Sequence, residues 1–109
     1  MTYNFYMSRK PTPHQWQTLI RHLATDSGNV YFSKHALSRM RERHITRQQV
    51  MDVLQLGVIQ REPEIDLKTG HTQCRMERAI AGRNMGVVLA LEDQNAGSGI
   101  VVTTLVIGE

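Results

Sequence analysis

The stretch VMDVLQLGVIQ, residues 50–60, contains the change of period that sets the fold class. On its N-terminal side Val50, Val53 and Leu54 recur at the steps of three and four that build one face of a helix, and Gly57 is the residue type that stops one. Beyond Gly57 the helical step is lost. VIQREPEID, residues 58–66, begins with strand character, and Pro63 with its flanking acids turns it into an edge strand or an irregular exit.

Read backwards from Gly57, the chain is helical. Ile45 and Thr46 start the helix that ends at Gly57, and Ser33 caps an earlier one running from about Lys34 to His44. Before that, VYF at 30–32 is a short extended piece. Thr12 followed by Pro13 opens a first helix, in which Trp16, Leu19, Ile20, Leu23 and Ala24 form the apolar stripe and DSGN, residues 26–29, the end. Residues 1–10 show no period and read as a lead or an edge strand.

Forwards from Gly57, the chain is extended. LKTG at 67–70 is a turn, and residues 72–81 alternate Cys74, Met76 and Ile80 with Gln73, Arg75 and Glu77, the pattern of a half-exposed strand. GRNMG at 82–86 turns the chain, VVLALE at 87–92 and IVVTTLVI at 100–107 are central strands, and DQNAGSG at 93–99 is a loop. Helices followed by an antiparallel meander make the class α+β, with the N-terminal helices packed on an antiparallel sheet of about four strands.

The totals fit one domain over residues 1–109. A chain of this length, 40% hydrophobic and 21% charged, is globular in composition and too short for a second core. One cysteine, Cys74, excludes an intramolecular disulfide and a cysteine-cluster metal site, which fits a reducing compartment; a cytoplasmic protein is expected. No apolar run reaches membrane-spanning length and MTYNFYMSRK lacks the pattern of a secretory signal, so no membrane partner is expected. The net charge is +3, but the basicity is local. Lys34, Arg39, Arg41, Arg43 and Arg47 face only Glu42 nearby, so a polyanion would meet one surface.

That surface lies on HALSRMRERHI, residues 35–45. At about 100° per residue Ala36, Leu37, Met40 and His44 share the face that packs on the core. His35, Arg39 and Arg43 follow one another at intervals of four along the border of that face. Like charges four apart repel by about 0.2–0.5 kcal/mol on an isolated helix, so the two arginines need an external reason for their spacing. One reason is an anion lying along the stripe. The other is internal pairing with Glu62, Glu64, Asp66 or Glu77.

Histidine beside arginines also suits metal-free RNA cleavage. The imidazole can move the 2′-hydroxyl or leaving-group proton, and guanidinium groups can hold the charge that builds on the phosphate. A phosphate-binding site that performs no reaction would use the same residues. Other chemistries find less support: there is no Gly-rich phosphate loop with a following lysine and no HExxH, and Cys74 has no histidine beside it in sequence. Glu62, Glu64 and Asp66 read as a solvated edge, and neither metal nor cofactor is expected.

HALSRMRERHIT, then QVMDVLQLGVIQ and the strands VVLALE and IVVTTLVI, resemble the bacterial family called domain of unknown function 4258 over about residues 30–107. The family's signature, H-A-x-x-R-M-x-x-R-x-I, is met by His35, Ala36, Arg39, Met40, Arg43 and Ile45. The segment from PTPHQWQTLIRHLA to NVYFSKHAL resembles the start of MqsR-type toxins. These resemblances imply a RelE-like fold, helices on a curved antiparallel sheet, in a group that contains ribonuclease toxins neutralised by antitoxins. They imply His35 as acid/base, Arg39 and Arg75 on the scissile phosphate, and Arg43 on the flanking backbone. Arg78 and Thr104 would add substrate contacts. The implied partners are RNA and an antitoxin protein; a non-catalytic module binding RNA or protein on the same fold is the alternative. The sequence leaves the oligomeric state open.

Overall fold

The computed structural model describes residues 10–108, so the reading of residues 1–10 lies outside it except for Lys10. Helix α1, Pro13–Leu23, starts where Thr12 accepts from the Gln15 backbone and the Gln15 side chain accepts in return from the Thr12 backbone, a reciprocal cap with Pro13 just inside it. Its buried face is Trp16, Ile20 and Leu23. A 3₁₀ turn, Ser27–Asn29, leads into strand β1, Val30–Phe32.

Helix α2, Lys34–Arg43, is capped by the Ser33 hydroxyl and buries Ala36 and Met40. Helix α3, Arg47–Leu56, repeats the reciprocal cap with Thr46 and Gln49 and buries Val50, Met51, Val53 and Leu54. Between them His44 takes the left-handed conformation, φ 57° and ψ 48°, and closes α2. That conformation corrects the reading of His44 as a packing residue. A helix ending at Arg43 no longer carries position 44 round to its apolar face, and His44 is exposed.

The strands that follow are β2, Val58–Ile59; β3, Glu64–Ile65; β4, Thr72–Ile80; β5, Arg83–Leu91; and β6, Gly99–Val106. The α+β class holds, with six strands among the described residues in one open, mixed sheet ordered β1-β6-β5-β4-β2, and β3 also paired to β4. β4, β5 and β6 form the antiparallel meander, whereas β1 lies parallel to β6, with Val30 opposite Gly99. Two helices and four strands separate β1 from β6 along the chain, a connection long enough to let the two run parallel. The last strand is therefore internal and not at a rim.

The β4–β5 turn is Ala81 and Gly82, at φ 52° and 78°, so most of GRNMG belongs to β5. Two consecutive residues at positive φ match the twist of a two-residue hairpin.

The three helices of the described residues and the inward residues of the sheet share one core cluster, which places these helices on one face. Inward positions are Cys74 and Met76 on β4, Met85, Val87, Leu89 and Leu91 on β5, and Val101, Thr104 and Val106 on β6. Val101 and Thr104 are an odd number of residues apart, yet both face inward. The reason is a bulge: Val88 pairs with Thr103 and Leu89 with Val101, leaving Val102 as the extra residue. The opposite face carries Gln73, Arg75 and Glu77 of β4 and Val88 and Ala90 of β5, and no helix among the described residues covers it.

Candidate nucleic-acid interface

Helix α2 packs chiefly against β6, where the Ser33 backbone donates to the Val101 carbonyl and its hydroxyl to that of Val102. The helix therefore runs beside the half of β6 that β1 does not reach, and its outer stripe is left facing solvent. His35 is exposed there, and Arg39 and Arg43 are partly so. Arg39 meets Glu42 one turn on, at 3.6 Å, with 39% and 53% of the two side chains exposed. A surface pair of this kind contributes about 0–1 kcal/mol, and a phosphate can displace the carboxylate.

Arg43 forms no ion pair among the described residues. Its backbone carbonyl accepts at 2.8 Å from Nη2 of Arg83, the first residue of β5, which satisfies the end of α2 with a cation where the helix dipole is negative. Arg43, His44, Arg83 and Glu42 line an open cavity of about 400 Å³. Arg83 was not among the site residues expected from sequence. Its signal was its position as the last basic residue of the chain, obscured by its place in a stretch read as a turn.

The other three predicted positions lie elsewhere. Arg75 is two strands in from β6, on the sheet face opposite the helices, roughly 10 Å across at the usual strand spacing. Its Nε donates to Glu77 Oε2 at 2.9 Å, with both side chains more than four-fifths buried, so its charge is already answered. Arg78 is on the other face of the same strand, at the helix-side rim, 3.9 Å from Asp52 of α3. Internal pairing thus accounts for Arg75, and Glu77, expected as a partner of Arg39 or Arg43, is taken by Arg75 instead, whereas Arg78 only approaches Asp52 and its buried Nε makes no hydrogen bond among the described residues. The structure groups His35, Arg39 and Arg43 but does not bring Arg75 or Arg78 to them.

Thr104 is 2% exposed on the helix side, and its hydroxyl has no hydrogen-bond partner among the described residues. The bulge at Val102 causes this, because simple alternation from Val101 would have turned Thr104 outward. A substrate hydrogen bond from this residue would require the core to open. Replacing it with a residue of the same shape and no hydroxyl, Thr104→Val, is expected to stabilise the domain by about 1–2 kcal/mol, since a buried unpaired hydroxyl is a net cost. Denaturant unfolding checks this; a loss of stability would show that the hydroxyl is bonded in solution.

Burial pushes the Cys74 thiol up to about 12, so it stays protonated at neutral pH and is no nucleophile. Among the described residues no group of three or more His, Cys, Asp or Glu converges as a metal-ligand set. No described helix is long and apolar enough to cross a membrane.

Residues 32–106, from the end of β1 to the end of β6, match the family described as "Domain of unknown function (DUF4258)". The chain belongs to the DUF4258 family. The match takes in the basic stripe, the Arg75–Glu77 pair and the whole meander, and begins after α1. No curated protein and no solved structure matches this DUF4258 chain.

Proposed function

We propose that this DUF4258 domain binds RNA along the outer stripe of α2, with the phosphate backbone lying over His35, Arg39 and Arg43 and continuing to Arg83. The observation that carries the reading is that Arg43 and Arg83, side by side at the end of α2, have no carboxylate partner among the described residues, and the stripe leads directly to them. Steps of four residues rise about 6 Å, comparable with the separation of successive phosphates along a strand. Arginine suits this surface because its planar fork of donors matches phosphate oxygens.

The test is fluorescence anisotropy of the purified chain with labelled RNA across a salt series. About four phosphate contacts predict a slope of log K against log salt of about −3, so affinity should fall roughly 50-fold between 50 and 200 mM. No binding, or binding indifferent to salt, would refute the reading.

Cleavage is the second reading: a metal-independent endoribonuclease of a toxin–antitoxin pair, with His35 as acid/base. It is favoured by His35, exposed, and Arg39, partly exposed, lying one turn apart, with Glu42 held loosely enough to yield to a phosphate. RNA shortening that persists in EDTA and disappears in His35→Ala would establish it. Intact RNA in the wild-type reaction leaves the binding module.

A further inference from the structure

On the sheet face away from the helices there is a hollow of about 280 Å³ that the α2 stripe does not use. Its floor is apolar, formed by Val88 of β5 and Leu105 of β6, and its wall carries Arg61, Glu62, Glu64 and Gln73. Glu64 and Gln73 are register partners of β3 and β4, so they share that face. None of the four wall side chains has a hydrogen-bond or ion-pair partner among the described residues. Arg75, which also lines the hollow, donates from Nε to Glu77 Oε2 at 2.9 Å. An apolar patch of two side chains with free donors and free carboxylates around it has the chemistry of a nucleobase site: ring face on the patch, polar edge against the wall.

The wall chooses among the bases. A carboxylate accepts only, so Glu62 and Glu64 select a base that offers adjacent N–H donors on its Watson–Crick edge, while Arg61 and Gln73 need acceptors. Guanine offers both, with the N1 and N2 donors beside the O6 and N7 acceptors that arginine binds. Adenine and the pyrimidines supply one set or the other less completely. A paired guanine has its Watson–Crick edge occupied, so the strand must be single.

One more feature of the same face fits. Tyr31 of β1 is 59% exposed, and it stands at the end of the row Tyr31, Ile100, Ala90, Gln73 that leads across the sheet to the hollow. Three strand spacings separate Tyr31 from Gln73, about 14 Å, within reach of neighbouring nucleotides of one strand. An aromatic ring left in solvent on an open sheet is a stacking platform for a base.

We infer that this hollow is a guanine-binding subsite for single-stranded RNA, with Glu62 and Glu64 reading the base and Tyr31 stacking a neighbouring one. The inference rests on the RNA reading of α2 and adds the class of strand and the base it selects.

The test compares three labelled RNAs of equal length on the full chain: oligoadenylate, oligoadenylate with one central guanine, and a fully paired duplex. The guanine-containing single strand should bind about tenfold more tightly than oligoadenylate. The double variant Glu62→Gln/Glu64→Gln should abolish that ratio, whatever it does to absolute affinity. Tyr31→Ala should weaken both single strands by about 5- to 100-fold and leave the duplex unchanged. Each variant replaces exposed side chains, and thermal unfolding confirms that it folds. Equal affinity for the two single strands overturns the guanine subsite, and an unchanged Tyr31→Ala overturns the stacking contact, while salt-dependent binding by all three RNAs would leave the α2 reading standing. If no RNA binds at all, both readings fall together.

Discussion

Gly57→Ala is expected to lower the stability of the domain by about 3 kcal/mol or more, enough to leave much of a small domain unfolded at ordinary temperature. The cause is space, not conformation. Gly57 sits at φ −77°, which any residue can adopt. A Cβ there would collide with the Val53 carbonyl oxygen and lie 2.8 Å from the carbonyl oxygen of Glu77. Both are backbone atoms, so no side chain can turn aside to make room. Relief requires the end of α3 to move off β4, and with it Val53 and Leu54, both wholly buried. Arg21 of α1 adds a third constraint, donating to the Gly57 carbonyl at 3.0 Å from Nε and 2.7 Å from Nη2. Two helices and a strand therefore meet at one residue without a side chain. Gly97→Ala is the control, because nothing lies within 4 Å of a Cβ there and its φ is not positive. Denaturant melts of both variants decide the matter: a Gly57→Ala protein within 1 kcal/mol of wild type would mean that α3 and β4 are not locked together here.

The same glycine shows how much of this molecule its sequence makes readable. The change of period at Gly57 is visible because both sides obey simple geometric rules, and the caps at Thr12, Ser33 and Thr46 are visible because their side chains bond locally. Non-local features left no such mark. Nothing in VYF announces a parallel pairing with residues far along the chain, and nothing in IVVTTLVI marks Val102 as a bulge, so the inward turn of Thr104 was hidden. Ala81 disguised the hairpin, since alanine is not a residue that advertises positive φ. In the candidate site, the stripe of His35, Arg39 and Arg43 was readable because a helix fixes its own angles. The closing of Arg75 by Glu77 was readable in principle, two residues apart on one strand face. Arg83 was missed because its contact is to α2, forty residues earlier in the chain.

Reversing the stripe should have the largest functional effect: Arg39→Glu/Arg43→Glu is expected to lose about 100-fold or more in RNA affinity at roughly 0.1 M salt, and to flatten the salt slope by about 1.4 as two phosphate contacts disappear. The loss exceeds simple deletion because each new carboxylate repels the strand that the guanidinium attracted. Stability should change little. Arg39 and Arg43 are only partly buried, and the one ion pair removed, with Glu42, is a surface pair. Net charge alone makes a competing account, since the variant also turns a basic protein acidic. Lys10→Glu/Lys68→Glu imposes the same charge change near the Thr72 end of β4, whereas Arg83 and the end of α2 lie near its Ile80 end. If the stripe is the interface, that second variant keeps most of the affinity for oligoadenylate, which does not engage the guanine-binding hollow beside Lys10, because charges beyond about 10 Å from the stripe are screened at this ionic strength. Equal losses in the two variants would mean that RNA senses only the overall charge, and α2 would then have no special claim on it.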